Sequence, residues 1–208
     1  MIRVNKRLSN LMLIANFTST LFYSMSYPYI YIELVKAVSR NYISFEQIIS
    51  CISIVIFGTL WNRNGDKYFE HYRAILIVEV IADAFLFAHV LITGDLRFYF
   101  VLNVLIYAVI TKNLSCGIIK MRAKVNPTED ERNRYDNNSN SAYALATIIG
   151  TGAAIVLQMP LRILFILALI GNAFDNVIYY YIYEKIRRAE NGRVYKQRKC
   201  AESIQANS

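Results

Sequence analysis

In this chain of 208 residues, 55% are hydrophobic and 13% aromatic, only three are prolines, and the charged residues cluster between long uncharged runs. An apolar run of about 18 or more residues is long enough to cross the ~30 Å hydrocarbon core as a helix, so the composition excludes an ordinary soluble domain and indicates an integral membrane protein. The formal net charge of +8 falls mainly on the segments between those runs, which makes it a topology signal rather than a nucleic-acid-binding surface.

The opening "MIRVNKRLSN" has the basic start of a signal peptide. The apolar run Leu11–Val35 that follows exceeds a signal core of about 7–15 residues, and no small-residue cleavage site closes it, so it is read as a first span that stays. Asn16, Thr20, Tyr23, Tyr27 and Tyr31 recur on it at steps of three or four, forming one polar and aromatic helix face, and Pro28 permits a kink. Tyr31 fits an interface anchor, but Tyr23 and Tyr27 lie too deep for that. The stripe either hydrogen-bonds neighbouring helices or lines a cavity that holds amphipathic or cationic aromatic compounds by stacking and cation–π contact.

The second span is Ile43–Trp61, followed by a basic loop over residues 62–73. The third, Ala74–Thr93, carries Glu79 and Asp83 on one face. "TGDLR" forces it into a hairpin with the fourth, Phe98–Ile119, whose Asn103, Tyr107, Thr111 and Ser115 form a second polar stripe beside Lys112. After the loop "KMRAKVNPTEDERNRYDNNSN", the fifth span is Ala142–Met159, with Ala142, Ala146, Gly150 and Ala154 at steps of four. Such a ladder lets another helix approach closely, where packing replaces the hydrophobic drive that lipid does not supply. "QMPLR" turns into the sixth span, Ile163–Tyr183. It carries Asp175 and ends in "YYYIY", which reads as an interfacial belt; residues 185–208 form a basic tail. The predicted fold is an all-α, polytopic membrane bundle of six transmembrane helices.

Eighteen of the 23 lysines and arginines lie in the N-terminus, the 62–73 loop, the long loop before span five and the tail. The positive-inside rule therefore predicts a multi-pass protein of the cell membrane with both termini cytoplasmic. Ionisable groups at membrane depth are costly and are functional candidates by default. Glu79, Asp83, Lys112 and Asp175 lie at similar depth, judged from their separation from Arg73, Lys120 and Lys185. In one reading Lys112 neutralises the Glu79–Asp83 pair and the cluster is structural. In the other, a carboxylate exchanges a proton during transport. Cys51, Cys116 and Cys200 are far apart, His71 and His89 likewise, and no phosphate-cradling glycine loop or Ser-His-Asp set occurs. No metal, cofactor, enzymatic or nucleic-acid-binding role is expected.

The stretch "GTLWNRNGDK" resembles the loop between the second and third helices of the major facilitator superfamily: Gly, three residues, Asp, Arg, any residue, Gly and two basic residues. Gly58, Arg63, Gly65 and Lys67 match that pattern; Asn62 replaces its Asp and Asp66 one of its basic residues. The segments 125–157 and 163–183 are similar to the drug-efflux branch of macrolide-efflux type. The resemblance covers Leu11 to Tyr183, one half of a twelve-helix member. It implies a gating role for the 58–67 loop and a central cavity faced by spans one and four, with Asn16, Tyr23, Tyr27, Asn103, Tyr107, Thr111 and Lys112 as candidate cavity residues. It further implies a half-sized secondary transporter that exports small amphipathic molecules, pairing with a second copy or a second half about an axis along the membrane normal. A non-transporting accessory or immunity protein, or a remnant of a twelve-helix transporter, is the alternative.

Overall fold

The computed structural model describes the backbone of residues 2–38 and 40–205 and the side chains of residues 6–38 and 44–192. The side chains of Arg40 and of the tail from residue 193 onward, Cys200 among them, lie outside these. Six long helices follow one another: α1 (Ile2–Ala37), α2 (Arg40–Glu70), α3 (Tyr72–Thr93), α4 (Leu96–Val125), α5 (Glu129–Leu157) and α6 (Leu161–Gln205). There is no strand among the described residues. Five segments, Ser44–Glu70, Tyr72–Thr93, Leu96–Val125, Glu129–Leu157 and Leu161–Gly192, are long and apolar enough to cross a membrane. That pattern is consistent with a multi-pass membrane protein.

The remaining helix, α1, is not in that set although the sequence predicts a span there. Its Asn, Ser, Thr and Tyr residues dilute its apolar character, and the fold keeps it inside the bundle, packed along α5 and α6. Met12, Ala15 and Ser26 have no exposed surface, and the Ser26 hydroxyl donates to the Phe22 carbonyl at 2.7 Å. A polar group withdrawn from water stays affordable when it is hydrogen-bonded.

Helices run further than the sequence predicts at three places. Residues 62–70 belong to α2, interrupted only at Asn64 (φ −130°, ψ 25°), so the 62–73 "loop" is a kinked helix end with a tight turn at His71. Most of the segment before span five is also helical. Thr128 accepts from the Glu131 N–H while the Glu131 carboxylate accepts from the Thr128 N–H, a reciprocal capping box that starts α5 at Glu129. The sequence cue, "TEDE", was present. Finally, α6 continues through the basic tail to Gln205. Both short turns form where predicted, and α3 packs on α4, but α5 and α6 do not pair as a hairpin, because α1 lies against both of them. Gly94 takes the left-handed conformation at the end of α3 (φ 69°), and the Asp95 carboxylate caps α4 by accepting from the N–H groups of Arg97 and Phe98. Gln158, at φ 42°, ends α5. Within α4 a single π turn spans Tyr107–Thr111, a wide turn of a kind frequent at functional sites.

Two apolar clusters divide the bundle along its length. The first lies at the basic end, where the N-terminus, the end of α2 and the extension of α6 meet. It gathers Leu8, Met12, Trp61, Phe69, Tyr72, Leu114, Met121, Tyr179, Ile182 and Tyr183. Tyr179 and Tyr183 are therefore core residues rather than an interfacial belt, because an i, i+4 pair shares one helix face and that face points inward; only Tyr181 of the run is well exposed. The Tyr72 ring lies over Gly117, where a Cβ would come within 1.9 Å of it, and its hydroxyl donates to the Leu114 carbonyl at 2.7 Å. The second cluster, toward the far end, gathers Ile30, Leu34, Leu86, Phe87, Val90, Tyr99, Phe100, Leu164 and Phe165.

The small-residue ladder of α5 faces α1. Ala146, Gly150 and Ala154 are buried, Ala142 partly so, and a Cβ on Gly150 would stand 2.6 Å from the Leu21 carbonyl oxygen. The backbones approach too closely there for any side chain.

Candidate functional site

A cavity of about 560 Å³ lies between α2 and the four helices α1, α3, α4 and α6. The placement follows from how α2 is held. At the basic end it is tied to α4: the Trp61 indole N–H donates to Asn113 Oδ1 at 3.0 Å, and Asp66 pairs with Lys120 at 2.7 Å. Toward the far end its packing against α3 and α4 is sparse, and the cavity occupies the space between.

The α1 stripe forms one wall. Tyr23 and Tyr27 stack with ring centroids 4.5 Å apart, and Tyr31 follows at 6.0 Å from Tyr27. Asn103, Tyr107 and Thr111 of α4 form another, Glu79, Asp83 and Phe87 of α3 a third, and Asn172 closes the site from α6. The two polar stripes predicted from spacing, on spans one and four, thus meet across one space, joined by the acid pair of span three.

The acids are partly satisfied. Glu79 is 5% exposed and Asp83 8%. Glu79 Oε1 accepts from the Thr111 hydroxyl at 3.2 Å, whereas its Oε2 is buried with no hydrogen-bond partner among the described residues. Asp83 Oδ2 accepts from the Asn172 amide at 3.2 Å. Every contact to these acids is a neutral hydrogen bond, and among the described residues no lysine, arginine or histidine lines the cavity to supply a countercharge.

Lys112 does not supply that countercharge, contrary to the expected pairing. Its ammonium sits 4.2 Å from the centre of the Tyr107 ring, and it forms no ion pair with Glu79, Asp83 or Asp175 among the described residues. Adjacent helical residues diverge by about 100°, so with Thr111 turned onto Glu79 its neighbour Lys112 points elsewhere. Asp175 is likewise outside the cavity lining; its Oδ1 is buried without a partner. Asn16 is absent from the lining too, because its amide donates to Ser139 Oγ at 2.9 Å and so binds α1 to α5.

The residues of the 58–67 motif lie along the basic end of α2, away from the cavity. Gly58 has open space where a Cβ would be, and a Cβ on Gly65 would stand 3.0 Å from the Lys120 Nζ. Asn62, Arg63 and Lys67 are exposed; Arg63 and Lys67 bond no helix-end carbonyl among the described residues. The ion pair here is made by Asp66, one of the two residues that depart from the pattern. It belongs to a clasp in which α4 presents three cations to three helices: Lys120 to Asp66 of α2, Arg122 to Asp136 of α5 at 2.9 Å, and Lys124 to Glu190 of α6.

Several lining residues lie outside the set read from the sequence. Glu46, Gln47 and Ser50 of α2, Ser26 of α1, Tyr99 of α4 and Asn172 of α6 all face the cavity. A three- and four-residue spacing was available in Glu46, Ser50 and Ser53, and in Asn172 with Asn176. Glu46 lies three residues inside the predicted boundary of the second span, where an acid has the character of a flanking residue.

Comparison with family models, with curated proteins and with solved structures finds no match to this chain.

Proposed function

We propose that this protein is a membrane transporter that carries small amphipathic molecules through the cavity between α2 and the rest of the bundle. The observation that carries the reading is the cavity's make-up: about 560 Å³, within the range of small-molecule sites, bordered by several aromatic rings and a few fixed polar groups inside a multi-pass bundle. A purely structural bundle gains nothing from leaving such a space open or from withholding a partner from Glu79 Oε2, since each unmade hydrogen bond and each void costs stability.

The basic end, taken as cytoplasmic, is closed by the aromatic cluster and the α4 clasp, so the cavity stands in the half of the bundle toward the other side. Release there would be export. The likeness of residues 58–67 to a major-facilitator loop supports a half-sized transporter of that general kind, with a second copy completing the passage. The clasp formed by Asp66 would then do the work that the pattern's own acid does in the resemblance.

The test is flux. Purified protein reconstituted in liposomes is expected to release preloaded amphipathic dye faster than empty liposomes, with the rate falling at least tenfold when Tyr27 is replaced by Leu. Flux equal to that of empty liposomes would leave the protein as a binding or accessory component of the membrane.

A further inference from the structure

We infer that the cavity selects an organic cation: a ligand that offers a fixed positive charge to Glu79 and an aromatic or alkyl surface to the Tyr23–Tyr27 pair. The inference rests on the cavity being a ligand site, as argued above, and specifies the charge that site accepts.

Three carboxylates, Glu46, Glu79 and Asp83, contribute to the lining, and among the described residues no basic side chain does. In a low-dielectric interior a carboxylate needs a counterion or full hydrogen bonding. Here the protein withholds both at one atom. Glu79 is 95% shielded, one of its oxygens is held by Thr111, and the other has no partner. Lys112, next in sequence to Thr111, is engaged with the Tyr107 ring. Asp83 differs: the Asn172 amide holds its Oδ2, and its Oδ1 is not among the buried oxygens left without a partner. The open carboxyl position is therefore Glu79 Oε2.

The aromatic lining reinforces the same preference. Ring faces are electron-rich and attract cations, most strongly where water is excluded. Tyr23 and Tyr27 are stacked at an interplanar angle of 16°, a flat surface against which a planar substituent fits. An anion would meet carboxylates and ring faces together and would be rejected. A neutral molecule would gain the stacking and leave Glu79 as unsatisfied as before, so discrimination between a cation and its neutral counterpart isolates the Glu79 contribution.

The experiment uses three water-soluble probes of similar shape: benzyltrimethylammonium, the net-neutral benzyldimethylamine N-oxide, and benzylsulfonate. Binding to the purified full chain in nanodiscs is measured by calorimetry. The cation is expected to bind at least tenfold tighter than the N-oxide, and the sulfonate to show no binding. Glu79→Gln is expected to weaken the cation at least tenfold while leaving the N-oxide within about twofold, with an unchanged or higher melting temperature showing that the variant is folded. An N-oxide or sulfonate that binds as tightly as the cation, or a cation affinity indifferent to Glu79→Gln, overturns the inference while the cavity remains a ligand site. Selective cation binding without any flux in liposomes removes the transport reading and leaves the inference standing. If none of the three binds, both fall.

Discussion

The two ends of this bundle are built by opposite rules. At the basic end, α4 clasps three neighbours with Lys120, Arg122 and Lys124, and rings from Trp61, Phe69, Tyr72 and Tyr183 interlock at centroid distances of 5.3–6.1 Å. Every polar group named there has a partner: the Tyr72 hydroxyl on Leu114, the Tyr183 hydroxyl on the Glu70 carbonyl at 2.8 Å. Toward the other end α2 separates from its neighbours, a cavity opens, and a carboxylate oxygen is left bare. The first region is arranged to hold the helices together. The second gives up stability for a vacant, charged surface, a trade common at functional sites.

Substitutions should split along that line. Gly117→Leu is expected to have the largest effect, because the Tyr72 ring fills the space a side chain needs; overpacking of this kind costs about 3 kcal/mol, read as a lowered midpoint in thermal or denaturant unfolding in detergent. Tyr72→Phe keeps the ring and loses only the bond to Leu114, so a loss of about 1 kcal/mol is expected in the same measurement. In the cavity half the sign should reverse. Glu79→Gln removes a buried carboxyl oxygen that has no partner among the described residues and is expected to raise the unfolding midpoint while reducing ligand binding; a lowered midpoint would mean that Glu79 holds the fold together. The smallest effect is expected at the exposed Asp66–Lys120 pair. Asp66 is 89% exposed, and a surface ion pair is worth about 0–1 kcal/mol at most. Asp66→Asn should therefore scarcely move stability, and any larger change in flux would assign the clasp to gating.

Much of the site was legible in the sequence because helical spacing alone fixes which residues share a face. The steps of three and four through Tyr23, Tyr27 and Tyr31, and through Asn103, Tyr107 and Thr111, fix those faces without any knowledge of neighbours. Glu79 and Asp83 follow from the same rule. Spacing does not show what a face meets. That is why Asn16, on the α1 stripe, turns out to bind Ser139 of α5, and why Tyr179 and Tyr183 are core rather than belt. Glu46 was missed for a related reason: its distance from a span boundary says little about depth when the helix leans away from the bundle.

What the amino-acid sequence determined by itself is the run of apolar helices, their turns at Gly94–Asp95 and Gln158, and the faces that carry polar groups, because each depends on residues within a few positions of one another. Only the tertiary structure decided that α1 packs along both α5 and α6, that Lys112 turns to Tyr107 instead of to the acids, and that Glu79 faces an open space with one oxygen unclaimed among the described residues. Those outcomes depend on how close five separate helices come, and that distance is set by side chains far apart in the chain, such as Gly150 against Leu21 and Trp61 against Asn113.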